Sequence, residues 1–280
     1  MNPAKILAPL TGTPRDEIVL ATAFAAAAPF NAHVAAIFVH PDARMAVPFA
    51  GVPVSPEVAQ DIVEASEEIA KSADERAHAA FVTAGAKAGA AGYAVRSSFR
   101  RAQGLYFRVV AHEAELSDLV AFGVIAGPDA VEMSEGFVEI LTRSGRPILL
   151  SAEAPSRLAR RVVLGWDGGA SAARAISASL PFLKKADSVE ILSIRKTTLQ
   201  ESCFEDLRAY LALHGVKPGE RTVDQGSRQI GEALLEAAAG SGADLLVMGA
   251  YRRGPLRESV FGGATSHVRS HATLPIFLAH

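Results

Sequence analysis

A chain of 280 residues is long for one compact domain and comfortable for two. Its 49% hydrophobic and 21% charged content excludes a disordered chain, and no run approaches the ~18 consecutive apolar residues of a membrane span. The formal net charge of −2 carries no basic stripe of the kind a nucleic-acid binder needs, and the single cysteine, Cys203, leaves no internal disulfide and no multi-cysteine metal site.

Residues 1–9 run directly into a strand-like segment without the charged, apolar, small-residue order of a secretory signal, so a cytoplasmic location is expected. The first apolar run, residues 5–12, ends in turn residues and is followed by an alanine-rich helical stretch, 18–28. A second strand is expected over 32–39 and a long helix over 56–84, where Val58, Ile62 and Ile69 fall at helical spacing. A short polar strand over 94–99 and a further helix come next. They lead to the strongly apolar 118–123, which begins at Asp118 and ends at Gly123, and to a proline-led strand, 146–150.

A polar linker, 151–160, then precedes the same series again. Strands are expected over 161–168, 188–194, 220–224, 244–249 and 274–278, with helices over 172–183 and 199–214 and another before Asp244. Agreement in this order across ten segments identifies an internal repeat. The expected domains are residues 1–150 and 158–280. Strands alternating with helices, and apolar runs without polar alternation, imply an α/β protein. Its two tandem doubly wound domains would each hold a five-stranded parallel sheet with helices on both faces. Residues 1–150 carry 12 Lys and Arg against 17 Asp and Glu, and residues 151–280 carry 16 against 13, so the second half is the friendlier to a small anion. Ligands in such folds sit beyond the carboxyl ends of the strands, which directs attention to the loops after the first and fourth strand of each half.

After the fourth strand of the second half stands Gly249-Ala250-Tyr251-Arg252, and ten residues later Gly262-Gly263-Ala264-Thr265 opens a helical stretch through Val268 and His271. Amides at such a helix start, backed by its dipole, suit a phosphate. Here the chain resembles the universal stress protein family, whose nucleotide-binding members carry Gly-x2-Gly-x9-Gly-[Ser/Thr] after the fourth strand. Gly249 and Gly262 match the first and third positions, while Arg252 and Gly263 depart at the second and fourth. Trp166-Asp167-Gly168-Gly169 likewise resembles the family's first-strand turn with its ligand-facing aspartate.

The resemblance covers the chain as a tandem pair and implies strand order 3-2-1-4-5 in each half, with the two final strands near each other across a pseudo-twofold axis. It implies ATP or AMP as ligand. Asp167 and the main chain near Ile194 would meet the adenosine, and Met248 and Gly249 would lie beneath the ribose. Gly262, Gly263, Ala264 and Thr265 would cradle the phosphates, with the Thr265 hydroxyl donating. Arg252 would pair with a phosphate, obstruct the pocket or point into water. The first half lacks this equipment: Thr11-Gly12 replaces Asp167-Gly168, and Gly136 is followed by Phe137, whose bulk suits a packed helix. It reads as a degenerate copy.

Other chemistry finds no support in the pattern. The Walker loop, Gly-x-Gly-x-x-Gly after a strand and the Gly-x-Ser-x-Gly nucleophile turn are absent from the sequence. His267 and His271 share a helix face, but a third metal ligand is missing nearby, and histidines suit a helix C-terminus. Cys203 and the group His112, Glu113 and Glu115 read as packing and surface residues. The function expected is that of a stress-response or regulatory protein binding an adenine nucleotide, with slow ATP hydrolysis at most. The alternative is an interaction scaffold of the same fold that engages a protein partner without nucleotide. The two halves would form a pseudo-dimer, and a homodimer is open to it. Neither nucleic acid nor membrane is an expected partner.

Overall fold

The computed structural model describes residues 2–42, 55–125, 130–195, 204–251 and 263–280. The first half runs β1 (Lys5–Leu10), α1 (Arg15–Ala27), β2 (His33–His40), α2 (Pro56–Ala90), β3 (Ser97–Gln103), α3 (Tyr106–Glu115), β4 (Leu119–Gly123), α4 (Ala130–Glu139) and β5 (Ile148–Ser151). The second runs β6 (Arg161–Gly165), α5 (Ala170–Leu183), β7 (Ser188–Arg195), α6 (Glu205–Leu213), β8 (Gly219–Asp224), α7 (Ile230–Gly240), β9 (Leu245–Gly249), α8 (Gly263–His271) and β10 (Ile276–Ala279).

All ten strands form one sheet in the order β3-β2-β1-β4-β5-β10-β9-β6-β7-β8. Within each half the pairs are parallel, in the order 3-2-1-4-5 that the family resemblance implied. The halves are joined by one antiparallel pair, β5 with β10, in the register Leu150 with Ile276, Leu149 with Phe277 and Ile148 with Leu278. The final strands therefore do more than approach each other: each removes the other's open edge, and the two sheets become one. Because this pair is antiparallel, the carboxyl ends of β1, β2 and β4 and those of β6, β7 and β9 lie at opposite edges of the joint sheet.

The strands are continuous apolar runs because helices cover both faces. One face carries α1, α2, α5 and α6, where alanines such as Ala23, Ala26 and Ala175 have no exposed surface and let helix approach sheet closely. The other carries α3, α4, α7 and α8. Phe30 of the first half packs edge-on against Phe182 of α5 at 5.0 Å, and Phe182 meets Phe277 of β10 at 6.1 Å. This aromatic chain ties the halves together behind the sheet.

The repeat extends to single atoms. Asp118, ahead of β4, accepts from the amides of Ala4 and Lys5 at 2.8 and 2.9 Å. Asp244, ahead of β9, accepts from those of Arg160 and Arg161 at 2.8 and 2.9 Å. Both acids fasten the start of their half's first strand. Two elements differ from expectation. The third strand lies at 97–103 rather than 94–99, and the long helix continues to Ala90. Gly89 and Gly85 sit in that helix with open space around them, so neither stops it.

If the β5–β10 pair unites the halves, deleting a ring from it should be felt by the whole chain. Phe277, 1% exposed, is expected to lose about 3–5 kcal/mol on Phe277→Ala. Urea unfolding should still show a single transition, moved as a whole; two transitions with one unmoved would contradict the joint core.

Candidate functional site

Three strand ends build the site in the second half. Met248 of β9 stands in register with Gly165 of β6, and Gly165 in turn with Leu192 of β7. Asp167 is two residues beyond Gly165, and Ile194 is two beyond Leu192, so both project past the same carboxyl edge that Met248 and Gly249 reach. Met248 is buried, Ile194 partly exposed and Asp167 exposed. The turn after β6 is shaped by Gly168, whose φ of +73° admits few side chains. Asp167 accepts from the Gly169 amide at 2.9 Å, closing the turn that opens α5.

Gly249 has a packing reason to be glycine. A Cβ there would lie 2.4 Å from the Ala172 amide nitrogen and 2.6 Å from the Ser171 carbonyl carbon. The first turn of α5 therefore seats directly on the end of β9, which brings its amides to the edge where a ligand would lie. Beyond β9 the backbone turns through Tyr251, which takes φ +51° and is buried against His280. The Tyr251 amide donates to Thr265 Oγ1 at 3.3 Å. Thr265 is thus 4% exposed and holds the β9 turn to α8. Gly263 is exposed and Ala264 partly so, at the start of α8. Helix α7 crosses here so closely that a Cβ on Gly231 would come within 3.0 Å of Ala264. Arg252 and Gly262 lie outside the described residues, as does Cys203.

Beside Ile194, Arg195 donates to both oxygens of Asp224, at 2.7 and 3.1 Å. That ion pair holds the Asp224 carboxyl below its usual value and the Arg195 guanidinium above its own. It fixes the outer rim of the site. The sequence did not single out this pair because only the register of β7 against β8 brings Arg195 and Asp224 together.

The corresponding turn of the first half is filled from within. Gly12 takes the same φ, +73°, as Gly168. Asp16, 2% exposed, accepts from the Thr11 amide at 2.9 Å and the Gly12 amide at 2.8 Å. A carboxylate therefore sits at the start of α1, where the helix dipole favours an anion. In the repeat, Ala172 stands at the place of Asp16, and the turn after β6 has no such internal acid. Sequence reading passed over Asp16 because an acid in a first helical turn is ordinary; only its two backbone partners reveal what it does.

Farther along, Phe137 of α4 has no exposed surface, and a Cβ on Gly136 would lie 3.0 Å from the Tyr106 ring. As expected, this segment is packed rather than open. On α8 the His267 and His271 rings stack at 4.4 Å and His271 Nδ1 lies 3.0 Å from the His267 carbonyl. Among the described residues, no group of three His, Cys, Asp or Glu side chains could hold a metal ion. His112 pairs with Glu115 at 3.5 Å on the exposed side of α3, and Glu113 pairs with Arg100. No helix among the described residues is long and apolar enough to cross a membrane.

Residues 183–280 match the model of the Universal stress protein family. Among solved structures, the chain is similar to a universal stress protein from Archaeoglobus fulgidus, at 14% identity over 98% of this chain and 95% of that one, with a TM-score of 0.67. It is also similar to a putative universal stress protein from Pseudomonas aeruginosa, at 14% identity over 99% and 93% of the two chains, with a TM-score of 0.59. Both likenesses run the full tandem length and concern the fold. No curated protein matches the sequence.

Asp16 gives a test of the filled turn. Burial raises its carboxyl above the ordinary value, against the lowering effect of its bonds from Thr11 and Gly12 and of nearby Arg15. A raised value means that the folded chain holds this proton more tightly than the unfolded chain. The associated stability is complete below the unfolded value, ~4, and is lost as pH rises through the folded one. Relative to Asp16→Asn, which does not titrate, wild-type stability in urea should decline over that interval and then level off. A difference that grows with pH there would contradict the burial. Asp16→Ala, leaving two amides without their acceptor, should cost about 1.5–3 kcal/mol.

Proposed function

We propose that this chain, whose residues 183–280 match the model of the universal stress protein family, binds an adenine nucleotide, ATP or AMP, in its second half and serves as a stress-response or regulatory protein. The observation that carries this reading is the contrast between two copies of one turn. In the first half Asp16 occupies the start of α1; in the second, Ala172 leaves the equivalent place without an acid, at an edge where β6, β7 and β9 converge. Asp167 and the main chain at Ile194 would receive the adenosine, and Met248 and Gly249 would support the ribose. Gly262, Gly263, Ala264 and Thr265 would meet the phosphates. The Thr265 oxygen already accepts from Tyr251, which leaves its hydroxyl proton as the donor to a phosphate oxygen.

One observation favours the second reading, a scaffold for a protein partner without nucleotide: Thr265 is buried and committed to holding the β9 turn. Calorimetric titration separates the two. ATP is expected to bind at about one site per chain, with Asp167→Ala losing about 1.5–3 kcal/mol, the range for hydrogen bonds to a charged group. No binding of ATP, AMP or adenosine would favour the scaffold, and two equivalent sites would overturn the reading of the first half. Arg252→Gly is expected to change ATP affinity by less than about 0.5 kcal/mol, as for a solvated side chain. A loss of about 1.5–3 kcal/mol that vanishes with adenosine would instead make Arg252 a phosphate ligand.

A further inference from the structure

We propose that the groove between α5 and α6 is a ligand site, independent of the nucleotide reading above, and that it takes a free aromatic α-amino acid as its zwitterion. The groove encloses about 390 Å³. Ile176 of α5 and Leu207 of α6, 0% and 5% exposed, form its floor, and the half-buried rings of Trp166 and Tyr210 stand beside them. Backbone and packing place both rings. Trp166 falls two residues after Leu164, on the face of the sheet that α5 and α6 cover, and its amide donates to the Leu192 carbonyl at 2.8 Å. Tyr210 lies three residues after Leu207, on the same side of α6. Two rings and two aliphatic chains around one groove suit an aromatic side chain, which gains from edge and offset contacts as well as from burial.

Charge defines the other end of the ligand. Arg174 of α5 and Asp206 of α6 line the groove from its two helices, and both are exposed. They do not pair with each other, and among the described residues neither side chain has an ion-pair partner. Opposite charges held apart beside an apolar floor are complementary to a molecule with a ring at one end and both charges at the other. The carboxylate of an α-amino acid would meet the Arg174 guanidinium, which offers two parallel N–H donors, and its ammonium would meet the Asp206 carboxylate. A neutral ring would leave both charges unused, and a simple anion or cation would use one. Because both groups stand at a solvated rim, each contact is worth little by itself and serves mainly to select the ligand. Affinity comes from the ring.

The same place in the first half is built differently. Leu10 stands where the repeat has Trp166, and α2 lies against α1, leaving Ala77 of α2 no exposed surface. In the second half α5 and the nine-residue α6 stand farther apart, with the groove between them. The groove is also distinct from the carboxyl edge. Asp167, Met248 and Gly249 do not line it, and Met248 belongs to the core on the opposite face of the sheet. The volume suits a single amino acid.

Trp166 is the chain's single tryptophan, so its emission reports on the groove directly. The probe is L-phenylalanine, which does not absorb at the red edge of the tryptophan band. N-acetyl-L-phenylalanine and L-phenylalaninamide each remove one of its charges. Titrated into the full chain and followed by Trp166 emission and by calorimetry, L-phenylalanine is expected to bind saturably at about one site, with each derivative roughly fivefold weaker. Asp206→Asn should weaken L-phenylalanine by a similar factor and leave N-acetyl-L-phenylalanine unchanged. Arg174→Gln should weaken it likewise and leave L-phenylalaninamide unchanged. Both positions are exposed, so neither change threatens the fold. Ser177→Phe, at an exposed lining position, fills the groove and should weaken L-phenylalanine roughly tenfold or more, whereas saturating ATP should leave it unaffected. The proposal is overturned by absence of saturable binding, by equal affinity for all three probes, by unchanged affinity in Ser177→Phe, or by displacement with ATP. L-Phenylalaninamide binding as tightly as L-phenylalanine, with the acetylated probe weaker, would also overturn it and point to the N-terminal residue of a peptide.

Discussion

Strands β5 and β10 each close their half with residues that are wholly buried, Ile148 to Leu150 and Ile276 to Leu278. A strand of that composition at the edge of an isolated sheet would offer an apolar template to any other chain. Here each strand's open hydrogen-bonding side is used by the other, so ten strands share one core. The sense of that pairing sets the rest of the molecule. Since β5 and β10 are antiparallel, the two halves face their loop-bearing edges in opposite directions. The turns after β1 and β6 are thereby kept apart, at opposite edges of the joint sheet.

One position in a shared turn distinguishes the two halves. A glycine at φ +73° follows the first strand in both halves and exposes the amides that begin the next helix. In one half a buried carboxylate accepts those amides; in the other an alanine stands in its place. The energetic consequence is large because the group is charged and screened by little water. An internal anion within a few ångströms makes a second anion costly at any dielectric suited to a buried site.

Much of this was legible in the residues. Uninterrupted apolar runs ending in glycine marked buried parallel strands, and the repeated Asp118 and Asp244 marked the same corner twice. The third strand was misplaced by a few residues because Ser97–Gln103 is an edge strand with polar, exposed side chains, and only Phe99 and Ala102 turn inward. Periodicity has little to act on there. The fusion into one sheet was foreseeable only in part, because pairing between two strands buried on both faces leaves no alternation to read. At the site, Gly249 was found through a ligand-binding pattern, but its own surroundings explain it first by the seat of α5 on β9. The two explanations are compatible. The glycine that admits the helix start is also the one that brings its amides to the crevice.

The unequal second helices complete the division between the halves. In the first, the 35 residues of α2 reach past the sheet edge and roof the turn after β1, with Arg76 bound to the Gly12 carbonyl. In the second, the described part of the corresponding helix is the nine-residue α6, which leaves the turn at Asp167 exposed. Cover and internal charge act together. Once Asp16 has met the Thr11 and Gly12 amides, those donors no longer require water, and a helix can close over them at little cost in unsatisfied hydrogen bonds. In the turn after β6 the acid is Asp167, which is exposed and accepts from the Gly169 amide, so the same roof would take that carboxylate out of water. The covered turn in one half and the exposed turn in the other thus go with a buried acid, Asp16, and an exposed one, Asp167.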